Sequence, residues 1–367
     1  MEWLGEKIKD LIKENNSSIV KLAKKTSVSR QTVNDWINGQ IPKGNHLINL
    51  CKIFNVNPDF FFSKDFDNSI SVPVHRTRMT AKVTPAMQKD ALEMARKYEV
   101  LFKNDANSSI LPVVRVHYRT DVVAKKIATE LRKRASIGQD LPPDYEHTFS
   151  LLAYLGIKVI FRHFPEKIKA YAFYTKIHGH RIVFVNNSTN IIDLIFPVLH
   201  EAVHAIRDEI QTNDGFDAEE EDFCDKVANY IQFPDEYVHM VYDFINGLSA
   251  GAQVNKLKIY GKTYSHALFG IVKQIKTIDP DFNLKIEGAD SNFKKGFHTI
   301  GDILFIGDDP RDYVAKISAL SPLFTSIILN QIDSITSSKL GEMLGIESVL
   351  DARAVKDELI KLKSIAS

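Results

Sequence analysis

The sequence predicts a multidomain protein with an all-α amino-terminal domain, an α+β domain in the middle and a mainly α-helical carboxy-terminal region. Its 367 residues are 44% hydrophobic and 25% charged, which is globular composition and enough length for two or three domains. Short helical patterns follow one another closely over residues 1 to 65. Two segments rich in β-branched residues, 157 to 161 and 181 to 185, lie among further helical patterns and predict strands.

The predicted domain boundaries follow changes in composition along the chain. A polar strip from Ser63 to Ser71 ends the first domain, and prolines between Gln139 and Asp144 end a basic helix that opens the α+β domain. Two longer helices complete that domain, at about 193 to 209 and 217 to 232. In the last region we expect scaffold helices and one strand at Ile303 to Ile306. The predicted divisions are 1–65, a linker and helical connector at 66–119, the α+β domain at 120–247, and the carboxy-terminal region at 248–367.

Charge and cysteine content restrict the function classes. Lys and Arg number 47 against 46 Asp and Glu, so the molecule as a whole carries no basic field and any nucleic-acid surface must be local. Cys51 and Cys224 lie far apart, which argues against a disulfide framework and for a reducing compartment. The first residues carry charges every few positions, and no later run approaches the roughly 18 apolar residues of a membrane span. We expect a soluble cytoplasmic protein that does not bind a membrane.

Residues 17 to 44 have the spacing of two helices that read DNA. The first helix is predicted from Ile19 to Lys25, and the second begins after Ser29 as its N-cap and ends at Gly39. The start of the second helix carries side chains that suit base edges, since Arg can bridge the two acceptors of guanine, and Gln or Asn can pair with adenine. The candidate DNA contacts are Ser29, Arg30, Gln31, Asn34 and, for a phosphate, Lys43.

These residues resemble the XRE-type, or lambda-repressor-like, helix-turn-helix family over about the first 65 residues. The resemblance implies an all-α domain that binds double-stranded DNA through residues 1–65, and we also allow for a homodimer. Ser27 stands where the family commonly has glycine, so it must accept or avoid the left-handed conformation of that turn. The alternative is a helical module that serves dimerisation or protein contact.

A His-Glu-x-x-His pattern lies in the helical segment LIFPVLHEAVHAIRDEI, residues 194 to 210. His200 and His204 stand four residues apart, so both imidazoles project from one face of a helix and can hold two corners of a zinc tetrahedron. Glu201 is placed to reach a water on the metal rather than the metal itself, which makes it the candidate general base. The alternative is a pair of ordinary histidines on an amphipathic helix.

A third metal ligand is expected from the next helix. Ile210 stands where a metzincin would carry its third histidine, so that type of peptidase is excluded. Three adjacent glutamates begin the next helix, and helical spacing favours the last of them, Glu221. We interpret Glu219 and Glu220 as a solvated helix start favoured by the helix dipole. Asp225, one turn later, is expected to accept the second ring N–H of a ligating histidine and to fix its tautomer.

The span from about Lys125 to Pro234 resembles the ImmA/IrrE metallopeptidase family. The resemblance rests on the basic helix end LRKRASIG, the strand RIVFV, the HEAVH helix, and the glutamate, cysteine and aspartate of the helix that follows. It implies a zincin-like α+β fold, a Zn²⁺ ion held by His200, His204 and Glu221, and Glu201 as the catalytic glutamate. It also implies a protein substrate, because targets of such peptidases include XRE-type repressors cleaved in stress or mobile-element responses.

The sequence therefore predicts a DNA-binding regulator with a zinc-dependent endopeptidase domain that hydrolyses a peptide bond in a repressor or antitoxin. The alternative is a non-proteolytic regulator or antitoxin whose zincin-like domain is a sensor or a structural module. Glu201 favours the enzyme, because a structural zinc has no use for a base beside it. We expect Cys224 to be a packed residue and not a ligand. The candidate donors to the oxyanion are Tyr171, Tyr174, His178 and His180.

Overall fold

The computed structural model forms two compact units, Met1–Ser69 and Ile70–Ser367. The four-part division of the chain stays a prediction. The structure describes residues 3–15, 17–54, 56, 61, 74–77, 84–103, 113–207, 218–305 and 309–366.

The first unit is all-helical in its described residues. Its helices are α1 (Glu6–Glu14), α2 (Ile19–Thr26), α3 (Arg30–Ile37) and α4 (Gly44–Phe54). They close around a core in which Ile8, Val33 and Leu50 are fully buried. The Trp3 indole N–H donates to the Trp36 carbonyl at 2.6 Å, which satisfies its polar end inside that core.

The turn between α2 and α3 follows the predicted spacing. α2 begins after Ser18, whose hydroxyl accepts from the Lys21 N–H at 3.2 Å, and α3 begins after Ser29, whose hydroxyl accepts from the Thr32 N–H at 3.0 Å. Ser27 adopts the left-handed conformation, with φ at 56°. It therefore accepts the strain that a glycine would avoid. The predicted pair of helices, including the Ser29 N-cap, is confirmed.

The second unit contains a sheet whose described strands lie in the order β1-β3-β4-β2. The strands are β1 (Val74–Thr77), β2 (Lys158–Arg162), β3 (Ala170–Ile177) and β4 (His180–Asn186). β1 and β4 pair antiparallel with β3, and β2 pairs in parallel with β4. Every residue of β4 is buried, as expected for a strand covered on both faces. The two segments predicted as strands are β2 and β4, whereas the sequence does not predict β1 or β3.

A two-residue turn joins β3 to β4. His178 and Gly179 both have positive φ, at 48° and 82°. Such a turn matches the twist of an antiparallel hairpin. It therefore fixes the register in which Ile177 lies opposite His180.

Helices make the second unit helix-rich. They are α5 (Pro85–Arg96), α6 (Glu99–Lys103), α7 (Asp121–Arg134), α8 (Tyr145–Tyr154), α9 (Ile191–Arg207), α10 (Ala218–Gln232), α11 (Asp235–Ile245), α12 (Ala250–Thr263), α13 (Leu268–Ile278), α14 (Glu287–Lys294), α15 (Ile300–Leu304), α16 (Pro310–Leu320), α17 (Pro322–Gln331), α18 (Ser337–Leu344) and α19 (Val349–Ala366). Among the described residues, none of these helices alone is long and apolar enough to cross a membrane, although α16 and α17, as a bent pair, pass that test of length and composition.

One large core connects segments that are distant in sequence. It combines residues of α5 to α10, the sheet and α15 to α19, while α11 to α14 pack around a smaller core of their own. Hydrogen bonds cross the same distances, since the Tyr98 hydroxyl donates to the Met343 carbonyl at 2.9 Å and the Ser321 hydroxyl donates to the Val159 carbonyl at 2.5 Å. The last helices therefore complete the core around the sheet.

The strand predicted at Ile303 to Ile306 is wrong over its described residues. Ile303 and Leu304 belong to α15, and Ile306 lies outside the described residues. The Thr299 hydroxyl accepts from the Asp302 N–H at 3.0 Å, and the Asp302 carboxylate accepts from the Thr299 N–H at 2.8 Å. This reciprocal cap satisfies two donors at a helix start, so it favours a helix over the strand that the apolar residues indicate.

Candidate metal centre and DNA-reading helix

The buried helix α9 carries the His-Glu-x-x-His residues. It packs against β3, α8 and α10. Its Ile, Leu, Val and Ala residues allow it to be covered on most faces, so the polar side chains among them are also buried. His200 is 1% exposed and Glu201 is fully buried. Buried polar groups of this kind must be paired or bind a ligand.

Two histidines of α9 and one glutamate of α10 converge on a common point. His200 Nε2 lies 3.0 Å from His204 Nε2. Glu221 Oε2 lies 3.3 Å from His200 Nε2, and Glu221 Oε1 lies 3.2 Å from His204 Nε2. Ligands of a tetrahedral zinc, with bonds of about 2.0 to 2.1 Å, lie about 3.3 Å apart. The three side chains therefore fit a zinc ion in both chemistry and spacing.

Asp225 contacts the ring nitrogen of His200 that lies away from the other two candidate ligands. Its Oδ1 accepts from His200 Nδ1 at 2.8 Å. With the proton on Nδ1, the Nε2 lone pair faces His204 and Glu221, which is the tautomer that a metal ligand needs. Cys224 Sγ lies 3.6 Å from Nδ1 of His204. Each histidine thus has a side chain of α10 at its second ring nitrogen.

The electrostatic setting keeps Glu221 ionised. Burial raises the pKa of this carboxyl group, but its contacts with the His200 and His204 rings more than offset that effect, and the net pKa lies well below its usual range. An ionised carboxylate between two imidazoles is the hard, anionic member of a His, His, Glu zinc set. The predicted ligands and Asp225 are therefore brought together by the structure.

Glu201 lies on α9 where it contacts the sheet. Its Oε2 accepts from the backbone N–H of Tyr174 in β3 at 2.8 Å. This bond ties the Glu201 carboxylate to β3. The sheet thus takes part in positioning the candidate base.

The four candidate oxyanion donors occupy different places. His178 lies in the hairpin turn, with its Nε2 3.2 Å from Oε1 of Glu99 in α6. His180 is buried against Phe102. Tyr171 and Tyr174 are three residues apart in β3, so their side chains point to opposite faces of the sheet. Of the four, Tyr174 contacts the candidate base, and it does so through its backbone N–H. Burial raises the pKa of its hydroxyl, which therefore stays a donor at neutral pH.

The interpretation of Glu220 as a solvated residue is wrong, because Glu220 is 8% exposed. Its carboxylate accepts two hydrogen bonds from Arg207, at 2.7 and 2.9 Å, and one from Arg119 Nε at 2.8 Å. Arg207 also donates to the Val114 carbonyl at 3.0 Å. Glu219 is exposed, as expected. Glu220 therefore ties the start of α10 to the end of α9 and to the segment before α7, a role that its sequence position does not indicate.

A second group of potential ligand atoms belongs to His204, Glu220 and Cys224. Glu220 is engaged by two arginines. Burial, followed by the charges of Glu220 and Glu221, raises the pKa of the Cys224 thiol well above its usual range. Because zinc binds the thiolate and not the thiol, the set with Glu221 fits the ion better.

The predicted DNA contacts lie at the start of α3 and in the segment before α4. The Ser29 hydroxyl serves as the helix cap, whereas Arg30 and Gln31 are exposed and Asn34 is half-buried. The Gln31 amide donates to Asp35 at 2.9 Å, and Lys43 is exposed. Arg30 and Gln31 are thus accessible to a base edge, and Lys43 to a phosphate.

A helix-turn-helix family model matches residues 8–61. The match lies inside the first unit and supports an XRE-type helix-turn-helix there. It indicates a DNA-binding regulator. No curated protein and no solved structure matches the chain.

Proposed function

We propose that this protein is a transcriptional regulator whose second unit is a zincin-like, zinc-dependent endopeptidase of gluzincin type. The observation that carries the proposal is the convergence of His200, His204 and Glu221, with ligand atoms 3.0 to 3.3 Å apart, beside the buried Glu201. The substrate is a repressor or an antitoxin cleaved in a stress or mobile-element response, as the ImmA/IrrE resemblance implies.

Each residue of the centre has a defined part in hydrolysis. The two histidines and Glu221 would hold a zinc ion, which would supply Lewis acidity to lower the pKa of a water and polarise the scissile carbonyl. Asp225 keeps His200 in the ligating tautomer. Glu201, positioned by the Tyr174 amide, takes the proton of the attacking water and delivers it to the leaving nitrogen. The Tyr174 hydroxyl is the donor that we assign to the developing oxyanion.

A non-proteolytic regulator or antitoxin is the second candidate. It is favoured by the full burial of Glu201 and by its hydrogen bond to a backbone amide, since a carboxylate with a purely structural role would share both features. In that case the centre is a sensor or a structural element of the same fold.

Zinc content and partner cleavage, measured together, separate the two candidates. Wild type and Glu201→Gln should each bind about one zinc, because the substitution leaves the ligands in place. Only wild type should cut a repressor or antitoxin, and His147→Gln, at an exposed histidine outside the centre, should behave as wild type. Zinc binding without a Glu201-dependent cut in any polypeptide, this chain included, would establish the non-proteolytic role.

DNA binding by the first unit is tested by charge reversal. Arg30→Glu should lose at least about tenfold in affinity for operator DNA, whereas Lys13→Glu, at an exposed residue of α1, should lose far less. Equal losses would refute Arg30 as a reading residue. The mass of the shifted complex shows whether a homodimer binds. We place the protein in the cytoplasm, with which the free thiols of Cys51 and Cys224 agree.

A further inference from the structure

The edge of β3 beside Glu201 is covered by a strand of this same chain. β1 pairs antiparallel with β3, with Val74 opposite Tyr174 and His75 opposite Phe173. The other edge of β3 pairs with β4. β1 therefore lies on the edge where an added peptide would find unpaired backbone groups.

The hairpin register places the Tyr174 amide on the β1 side of β3. Ile177 and His180 flank the two-residue turn, and flanking residues of such turns form a hydrogen-bonded pair. Pairs alternate along the hairpin, so Tyr174, opposite Val183, turns its N–H away from β4. That N–H donates to Glu201. The carboxylate of the candidate base thus lies along the edge that β1 covers.

Extended peptides bind to proteins by adding a strand to a sheet edge through backbone hydrogen bonds. β1 has this arrangement, being extended, antiparallel and directly beside the candidate base. It has four residues, and its pairing is irregular between His75 and Thr77. A strand this short forms few hydrogen bonds, so it can dissociate from the edge of β3, as a bound substrate peptide must.

The charge of the segment around β1 complements that of the ligand helix. Residues 68–89 contain four Lys or Arg and no Asp or Glu. On the first turn of α10, Glu219 and Asp222 are exposed carboxylates, whereas Glu220 is paired with arginines and Glu221 belongs to the metal centre. Opposite charges of this kind favour the approach of a basic peptide to an acidic site.

We propose that Val74–Thr77 is a substrate strand of this centre, and that the protein cuts its own chain there. The inference rests on the proposed peptidase function. Water adds to the carbonyl carbon of a peptide bond in β1, the C–N bond breaks, and the products are a carboxylate and an amine, with no change in oxidation state. Glu201 carries the proton from the water to the leaving nitrogen. The amino-terminal product would contain the helix-turn-helix residues 8–61, and the carboxy-terminal product would contain the candidate metal ligands.

Zinc added to the metal-free full-length protein tests this inference. Intact mass spectrometry should show two fragments with their junction inside Val74–Thr77, at a rate that does not depend on protein concentration. Glu201→Gln should reduce that rate at least 100-fold. A chain with residues 70–83 replaced by a Gly/Ser segment of equal length should not cut itself, but it should cut a synthetic peptide of residues 70–83 and spare the scrambled peptide.

Hydrogen exchange in the metal-free Glu201→Gln protein gives a readout that is independent of activity. The amides of β3 should exchange at least tenfold faster when residues 70–83 are replaced. The 70–83 peptide should restore their protection, and the scrambled peptide should not.

Three outcomes overturn the inference. A cut outside Val74–Thr77, or an intact chain in a preparation that cuts an added repressor or antitoxin through Glu201, refutes self-cleavage and leaves the peptidase function in place. The absence of any Glu201-dependent cut, in the chain, the peptide or the partners, refutes the proposed peptidase function as well.

Discussion

Replacing Asp225 with alanine measures what a carboxylate outside the ligand set contributes to zinc affinity. Asp225 accepts from His200 Nδ1 at 2.8 Å, and the His200 side chain is 1% exposed. Removing the acceptor leaves a buried N–H unpaired, and it also allows the tautomer with the proton on Nε2, which cannot bind a metal. Both effects disfavour the zinc-bound state.

The size of the effect follows from this contact. A hydrogen bond to a charged group contributes about 1.5 to 3 kcal/mol. Because the Asp225 side chain is 25% exposed, water replaces part of that bond, and we expect the lower half of the range. Asp225→Ala should therefore weaken zinc binding about 13- to 45-fold. Asp225→Asn keeps a neutral acceptor and should fall between Asp225→Ala and wild type.

Competition against a chromophoric chelator gives the zinc Kd of each variant. Asp222→Ala is the matched control, since Asp222 lies on the same helix, is 65% exposed and pairs with Lys226. It should change the Kd less than about twofold. A Kd for Asp225→Ala within twofold of that control would refute the role of Asp225 in holding His200.

Three further predictions concern stability. Glu220→Ala leaves two arginines without their shared carboxylate and should lower the free energy of unfolding in urea by about 3 kcal/mol. The control Glu219→Ala, at an exposed residue, should lower it by less than about 0.5 kcal/mol, and equal losses would refute the buried ion pair. Ser27→Gly removes the backbone strain of a serine in the left-handed conformation and should raise the unfolding free energy of the first unit by up to about 1 kcal/mol. Asn38→Gly, at φ −93°, should lower that free energy, and the reverse order would show that Ser27 is not strained. Burial lowers the pKa of His266 from 6.5 to about 4, so between these pH values the unfolded chain binds a proton that the folded chain does not. The unfolding free energy should therefore fall by roughly 3 kcal/mol as the pH falls through this range, and the same pH slope in a His266→Gln protein would show that this histidine is not the cause.

The candidate metal centre could be predicted because its residues are set by local helical geometry. The four-residue spacing of His200 and His204 fixes their common face before any tertiary contact is known. Glu221 and Asp225 are likewise four residues apart on α10, so one face of that helix supplies a ligand and the acceptor for His200. The N-cap of α3 is local in the same sense, since Ser29 bonds only three residues ahead.

The features that the sequence does not predict depend on distant partners. In sequence Glu220 resembles the glutamates on either side of it, and only its contacts with Arg119 and Arg207 distinguish it. β1 has only four residues and gains its partner strand about a hundred residues later. α15 shows the reverse case, because its apolar residues favour a strand while a local cap decides for a helix. The contact that positions Glu201 also comes from β3, which the sequence does not predict as a strand.

The discontinuous core also determines when the two units can fold during synthesis. A ribosome adds roughly 5 to 20 residues per second, so α1 to α4 emerge about 15 to 60 seconds before α19 is complete. The sheet needs α16 to α19 to bury its apolar residues. A nascent chain therefore displays a finished DNA-reading unit while the sheet that contacts α9 still exposes apolar surface. A chain that stops short of α16 would carry a folded DNA-binding unit joined to an aggregation-prone remainder, which makes it a substrate for chaperones and quality-control proteases.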